Sequence, residues 1–248
     1  MLIHTVQSGE TLRGIAEKYG TSTRELLRLN ELESQDLLVT GLHLIVPSDA
    51  EKAPAQKRTI EVNGYLLPEG TPSDERILQD VPDMTYVCMF SYEARADGSL
   101  EPPRDRLALE SANRYRIAPL MTVTNFDGNN FSTELAHTIM ANGSIRRRVI
   151  ENILRTMSQK GFRGVNIDFE HMRQTDRRLY NQFVRELGQA ARAAGKSISI
   201  ALGPKTSDDP TAPWMGAFDY KTLGAEVDFM MLMTYEWGWV GGPPPTRI

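Results

Sequence analysis

The chain has 248 residues and a formal net charge of −4, with a pI near 5.7. That balance argues against nucleic acid or an anionic membrane as the main partner, and no stretch approaches the ~20 apolar residues of a membrane span. The single cysteine, Cys88, excludes an internal disulfide, and His4, His43, His137 and His171 lack metal-ligand spacing, so neither metal nor cofactor is implied.

The first residues, Met1-Leu2-Ile3-His4-Thr5, have no basic start and no apolar run after them, which is not the pattern of a signal peptide. Residues 3–6 read as a short strand. Ser8-Gly9-Glu10-Thr11 then opens an amphipathic helix with Leu12, Ile15, Ala16 and Tyr19 on one face, stopped at Gly20. Ser22 and Glu25 have capping-box spacing ahead of a second helix carrying Leu26, Leu27 and Leu29. Residues 42–46 read as a closing strand ended by Pro47. The expected organisation is a small unit over 1–47, a polar linker over 48–58 and a larger unit over 59–248.

In the larger unit the expected strands are 60–67, 86–92, 117–124, 164–170, 197–202 and 228–235. Helical patterns separate them, most clearly over 144–160 and 174–194, with Gly161 and Gly195 as stops. Strands alternating with helices predict a parallel sheet with helices on its outer side. Residues 241–248 read as a Gly/Pro loop.

The run Gly164-Val165-Asn166-Ile167-Asp168-Phe169-Glu170 alternates apolar and polar residues. In a strand this places Val165, Ile167 and Phe169 on one face and Asn166, Asp168 and Glu170 on the other, about 7 Å apart. An edge strand with a wet face would account for it. A site needing a proton donor beside a second acid would too, and in parallel barrels such sites lie at the C-terminal strand ends.

This run resembles the Asp-x-x-Asp-x-Asp-x-Glu strand of family 18 glycoside hydrolases, with Arg163 and Asn166 at the first two acidic positions and Asp168 and Glu170 at the last two. Met233-Thr234-Tyr235-Glu236 resembles the family's sixth-strand Met-x-Tyr-Asp, and the wording of 119–126 is similar to bacterial spore cortex-lytic N-acetylglucosaminidases. The runs Val6-Gln7-Ser8-Gly9-Glu10-Thr11-Leu12 and Leu26-Leu27-Arg28-Leu29-Asn30 resemble a LysM module.

The resemblance implies an α/β chain: a LysM βααβ module followed by a (β/α)8 TIM barrel of which only six strands are present. It implies Glu170 as general acid, then base, and Tyr235 as hydroxyl donor to the substrate acetamido oxygen. Asp168 would hold the acetamido N–H and, by its charge, raise the pKa of Glu170. Asn166 would bond Asp168. Tyr65, Tyr92 and Asn125, near strand ends, would contact the sugar, with Met233 beneath it. Trp237 and Trp239 would stack on it or fill core, and Arg163 and Glu236 would pair with neighbours. In the module, Gly9, Thr11 and Asn30 would lie near a glycan groove, although Gly9 also reads as a turn and Thr11 as a cap.

The implied partners are peptidoglycan or chitin-type N-acetylglucosamine chains and spore-coat proteins, in a spore coat, cortex or cell wall. Two other readings stay open: a non-catalytic glycan-binding barrel, and a metal-dependent barrel drawing on Glu93 and Glu236.

Overall fold

The computed structural model describes residues 2–32, 34, 38–47 and 59–235. The linker expected over 48–58 lies outside them. The chain divides into two compact units, Met1–Ile60 and Glu61–Ile248.

The first unit runs β1 (Leu2–Thr5), α1 (Leu12–Lys18), α2 (Thr23–Leu29) and β2 (His43–Val46), with β1 and β2 antiparallel. Each helix begins where the sequence supplies a cap. Thr11 Oγ1 accepts from Gly14 N at 3.1 Å and Ser22 Oγ accepts from Glu25 N at 3.1 Å, satisfying donors that have no intrahelical acceptor. The apolar faces close over Leu12, Ile15, Leu26, Leu44 and Val46. His4 is buried among them with both ring nitrogens engaged, by Tyr19 Oη at 3.1 Å and Glu10 Oε2 at 2.8 Å.

The second unit continues with β3 (Asn63–Leu66), α3 (Pro72–Gln79), β4 (Tyr86–Ala94), β5 (Leu100–Glu101), α4 (Arg106–Arg114), β6 (Ala118–Thr124) and α5 (Thr133–Ala141). Then come α6 (Gly143–Lys160), β7 (Gly164–Asp168), α7 (Arg177–Ala193), β8 (Ser197–Leu202), α8 (Tyr220–Gly224) and β9 (Phe229–Leu232). The strands pair in the order β3-β4-β6-β7-β8-β9, all parallel, and the unanticipated β5 pairs antiparallel with β4. The sheet curls into a half-barrel, so that its first and last strands meet side chain to side chain. Asn63 Nδ2 of β3 donates to Met231 Sδ of β9 at 3.1 Å, and next to them the ring of Tyr86 from β4 stacks on Phe229 of β9 at 5.6 Å.

Curling segregates the two sheet faces. The convex face carries Val87, Met89, Met121, Val123, Val165, Ile167, Ile198 and Ile200 into one core with the helices. Helix α7 fits it because Tyr180, Phe183, Val184, Leu187 and Ala191 recur at helical spacing and are all buried. Each fully buried large apolar side chain contributes about 1.5–3 kcal/mol. The concave face carries more polar side chains, among them Asn63, Tyr65, Cys88, Thr122, Asn166, Asp168 and Ser199. Burial pushes the Cys88 thiol up to about 12, which keeps it neutral.

Two glycines set the position of β7. Gly161 ends α6 in the left-handed region at φ 78°, as the sequence predicts. At Gly164 a Cβ would sit 2.5 Å from Ser197 O, so only glycine lets β7 and β8 approach as they do.

Candidate active site

Strand β7 presents its two faces as the alternation predicts. Val165 and Ile167 enter the helix-covered core; Asn166 and Asp168 face the concave side, Asp168 with 4% of its surface exposed. The strand ends at Asp168, two residues earlier than expected. Phe169 remains buried against Phe183 at 5.4 Å between ring centres. Glu170 lies beyond the strand end, half-buried, and lines a cavity of about 300 Å³ together with Pro204, Trp214, Met215, Met233 and Tyr235. Clefts of this size and upward are typical of small-ligand sites.

Both ends of the Asn166 amide are engaged, and neither by Asp168. Its Oδ1 accepts from Tyr65 Oη at 2.9 Å and its Nδ2 donates to Ser199 Oγ at 2.9 Å. The expected bond from Asn166 to Asp168 is not among the bonds of the described residues. Asp168 Oδ1 is left buried with no hydrogen-bond partner among the described residues. Burial then pushes the Asp168 carboxyl up to about 7, because it disfavours the charged form. Near neutral pH this carboxyl therefore holds a proton readily.

Tyr65 reaches the same concave space. Burial is the main cause that raises its pKa and keeps its hydroxyl a donor; the neighbouring Cys88, Asp168 and Tyr235 act in the same direction. Asp168 and Tyr235 thus both lie within electrostatic reach of the Tyr65 hydroxyl. Tyr235 is 57% exposed on the wall of the Glu170 cavity.

Two residues expected to touch a sugar do something else. Asn125, just past the end of β6, is completely buried, and its amide engages main chain. Its Oδ1 accepts from Glu170 N at 2.9 Å, and its Nδ2 donates to Glu170 O at 2.9 Å and Ser132 O at 3.0 Å. Tyr92 faces the helix layer. Met89 pairs with Met121 but Tyr92 with Val123, so β4 carries one residue more than β6 between these rungs. That bulge turns Tyr92 to the opposite face from the one simple alternation predicts. Its hydroxyl donates to buried Asp105, which also takes Lys160 Nζ at 2.7 Å.

Met233 lines the same cavity. Trp237, Trp239 and Glu236 lie outside the described residues. Glu93 pairs with Arg95 at 3.0 Å, and Arg163 is exposed at the opposite end of β7 from Asp168, with no ion pair among the described residues.

Sequence reasoning missed Trp214. It lines the cavity beside Glu170, and its ring stacks on His171 at 4.9 Å with 16° between planes. The available signal was a tryptophan in the polar connection that follows β8, on the side of the sheet where barrel sites lie.

In the first unit, Gly9 is exposed at φ 84° and Thr11 is the exposed cap of α1. Asn30 does not present a free amide to a groove. Its Nδ2 donates to Leu26 O and Ile45 O, both at 2.8 Å, and its Oδ1 accepts from Ile45 N at 2.6 Å, tying α2 to β2.

Comparison with known proteins accords with this architecture. The sequence model for glycosyl hydrolases family 18 matches residues 82–242 and that for the LysM domain matches residues 4–47. The chain is 38% identical to the cortical fragment-lytic enzyme of Bacillus subtilis (strain 168), over 98% of this chain and 68% of that protein. The crystal structure of the Bacillus cereus spore cortex-lytic enzyme SleL superposes with a TM-score of 0.73 at 34% identity. That of the Bacillus megaterium QM B1551 enzyme superposes with a TM-score of 0.71 at 29% identity. Both cover 98% of this chain, which spans 55% of each of those structures. With a LysM domain ahead of a curled, acid-bearing parallel sheet, the chain belongs to glycosyl hydrolases family 18.

Proposed function

We propose that this chain hydrolyses β-1,4 glycosidic bonds next to N-acetylglucosamine in the peptidoglycan of the spore cortex, with retention of configuration. The observation that carries this reading is the buried Asp168 carboxyl, two residues before Glu170, whose Oδ1 has no partner among the described residues. Two carboxyls two residues apart at one strand end do not readily flank a sugar from opposite faces, as ordinary retaining pairs do. They suit the substrate-assisted route, in which the substrate's own 2-acetamido oxygen attacks the anomeric carbon.

Glu170 protonates the leaving oxygen and then deprotonates the incoming water. Asp168 accepts the acetamido N–H, which gives its orphaned oxygen a partner. Tyr235 donates its hydroxyl to the acetamido oxygen. The LysM domain holds the chain on its polymeric substrate. The names of the relatives support cortex peptidoglycan over chitin and a site of action in the spore.

The test is release of reducing ends from cortex peptidoglycan and from chitin oligomers by this chain and by Glu170→Gln. Loss of the acid lowers turnover by on the order of 10²–10⁴-fold. Equal release by both proteins sinks the reading. Glycan binding without release by either favours a glycan-binding protein of the same fold, and loss of activity in EDTA favours a metal-dependent enzyme.

A further inference from the structure

We infer that Asn125 is a positioning residue for Glu170, holding the main chain of the acid in place of a strand partner. The inference rests on the proposed role of Glu170. Pairing of β7 with β6 ends at Thr124 and Asp168, and its pairing with β8 ends at Ile167 and Ile200. Glu170 therefore lies beyond the last rung on both sides, and no ladder fixes its φ and ψ. The Asn125 side chain supplies the missing rung. Its amide has the donor and acceptor of a peptide group and meets both Glu170 N and Glu170 O at 2.9 Å.

The grip is itself anchored. Asn125 Nδ2 also reaches Ser132 O at 3.0 Å, and Ser132 N donates to Asn125 O at 2.9 Å, closing the base of the intervening loop. The next residue, Thr133, the first of α5, donates its hydroxyl to His171 O at 2.6 Å. The segment carrying the acid is thus held from β6 and the start of α5, on consecutive carbonyls. Only asparagine fits this geometry. Aspartate lacks the donor, glutamine is one methylene too long, and alanine offers neither group.

The role separates from mere support of the fold by its dependence on the leaving group. A misplaced acid slows departure of a sugar alkoxide, which needs the proton, far more than departure of nitrophenolate, which does not. For Asn125→Ala in the full chain we expect turnover of chitin oligomers to fall by on the order of 10²-fold. The loss with nitrophenyl chitobioside is expected to be smaller by about tenfold or more, with KM nearly unchanged in both. Exchange of the Glu170 amide hydrogen, followed by NMR, is expected to quicken by at least about tenfold. Asn125→Asp, which turns a buried carboxylate oxygen on the carbonyls of Glu170 and Ser132, is expected to lose at least as much as alanine, and Asn125→Ser, which removes the grip without adding charge, decides the matter if the alanine variant does not fold.

Equal losses on the two substrates, or a Glu170 amide as protected as in the parent chain, overturn the inference. Activity abolished by Glu170→Gln but untouched by Asn125→Ala overturns it while leaving the proposed function standing. A parent chain inactive on both substrates removes the proposed function, and an unchanged Glu170 exchange rate then removes this inference separately.

Discussion

Tyr65 donates its hydroxyl to Asn166 Oδ1 at 2.9 Å, joining side chains 101 positions apart. Their strands, β3 and β7, are not neighbours: β4 and β6 lie between them. The bond is a chord across the concave side, possible only because the sheet curls. The other end of the same amide donates to Ser199 Oγ, and Asp168 Oδ1 has no hydrogen-bond partner among the described residues.

Tyr65→Phe removes the donor and leaves a fully buried amide oxygen unsatisfied. The expected loss of stability is about 1–3 kcal/mol, read as a lower urea midpoint with an unchanged slope. A midpoint equal to that of the parent chain contradicts the chord as drawn.

Asp168 makes stability depend on pH with a definite sign. Its carboxyl ionises at an ordinary 3.8 when unfolded and at about 7 when folded. Between those values the folded chain binds more protons than the unfolded one, so rising pH removes stability across that window. A shift of this size corresponds to a few kcal/mol, on the order of 4. Asp168→Asn is expected to lack this component. Its stability relative to the parent chain should therefore climb from about pH 4 to about pH 7 and then level off. Urea unfolding across that range measures it, and a difference independent of pH refutes the assignment.

Tyr92→Phe separates the helix layer from the cleft. It removes a donor from buried Asp105 but leaves the Lys160 ion pair at 2.7 Å. The expected effect is a loss of about 1–3 kcal/mol in stability with turnover unchanged at temperatures where the chain is folded. A change in kcat without a change in stability would place the hydroxyl in the cleft.

Asn30→Ala tests the corresponding point in the LysM domain. Two hydrogen bonds to Ile45 tie the end of α2 to β2 through this amide, and a third to Leu26 O closes the helix end. Its loss is expected to lower the melting temperature of the domain, with a loss of stability of about 1–3 kcal/mol, while the folded variant still sediments with insoluble peptidoglycan. Failure to sediment at a temperature where circular dichroism shows native structure would restore Asn30 to the glycan contact.

Much of this protein is written in local signals. The alternation through 164–168 sorts Val165 and Ile167 from Asn166 and Asp168 before any coordinates are known, because strand side chains alternate with a period of two. Thr11 and Ser22 mark helix starts, and Gly161 marks a helix end, because caps act within one turn. The six parallel strands follow in order from apolar runs punctuated by helices. What stayed hidden depends on partners distant in the chain. One extra residue in β4 turns Tyr92 into the helix layer, and nothing in its own neighbourhood announces the bulge. The amides of Asn125, Asn166 and Asn30 could each have met a sugar. Instead they meet Glu170, Tyr65 and Ile45, respectively 45, 101 and 15 positions away. Backbone periodicity is set by steric terms between adjacent residues and can be read along the chain; the bonding of a buried amide is set by whichever unsatisfied group folding brings beside it.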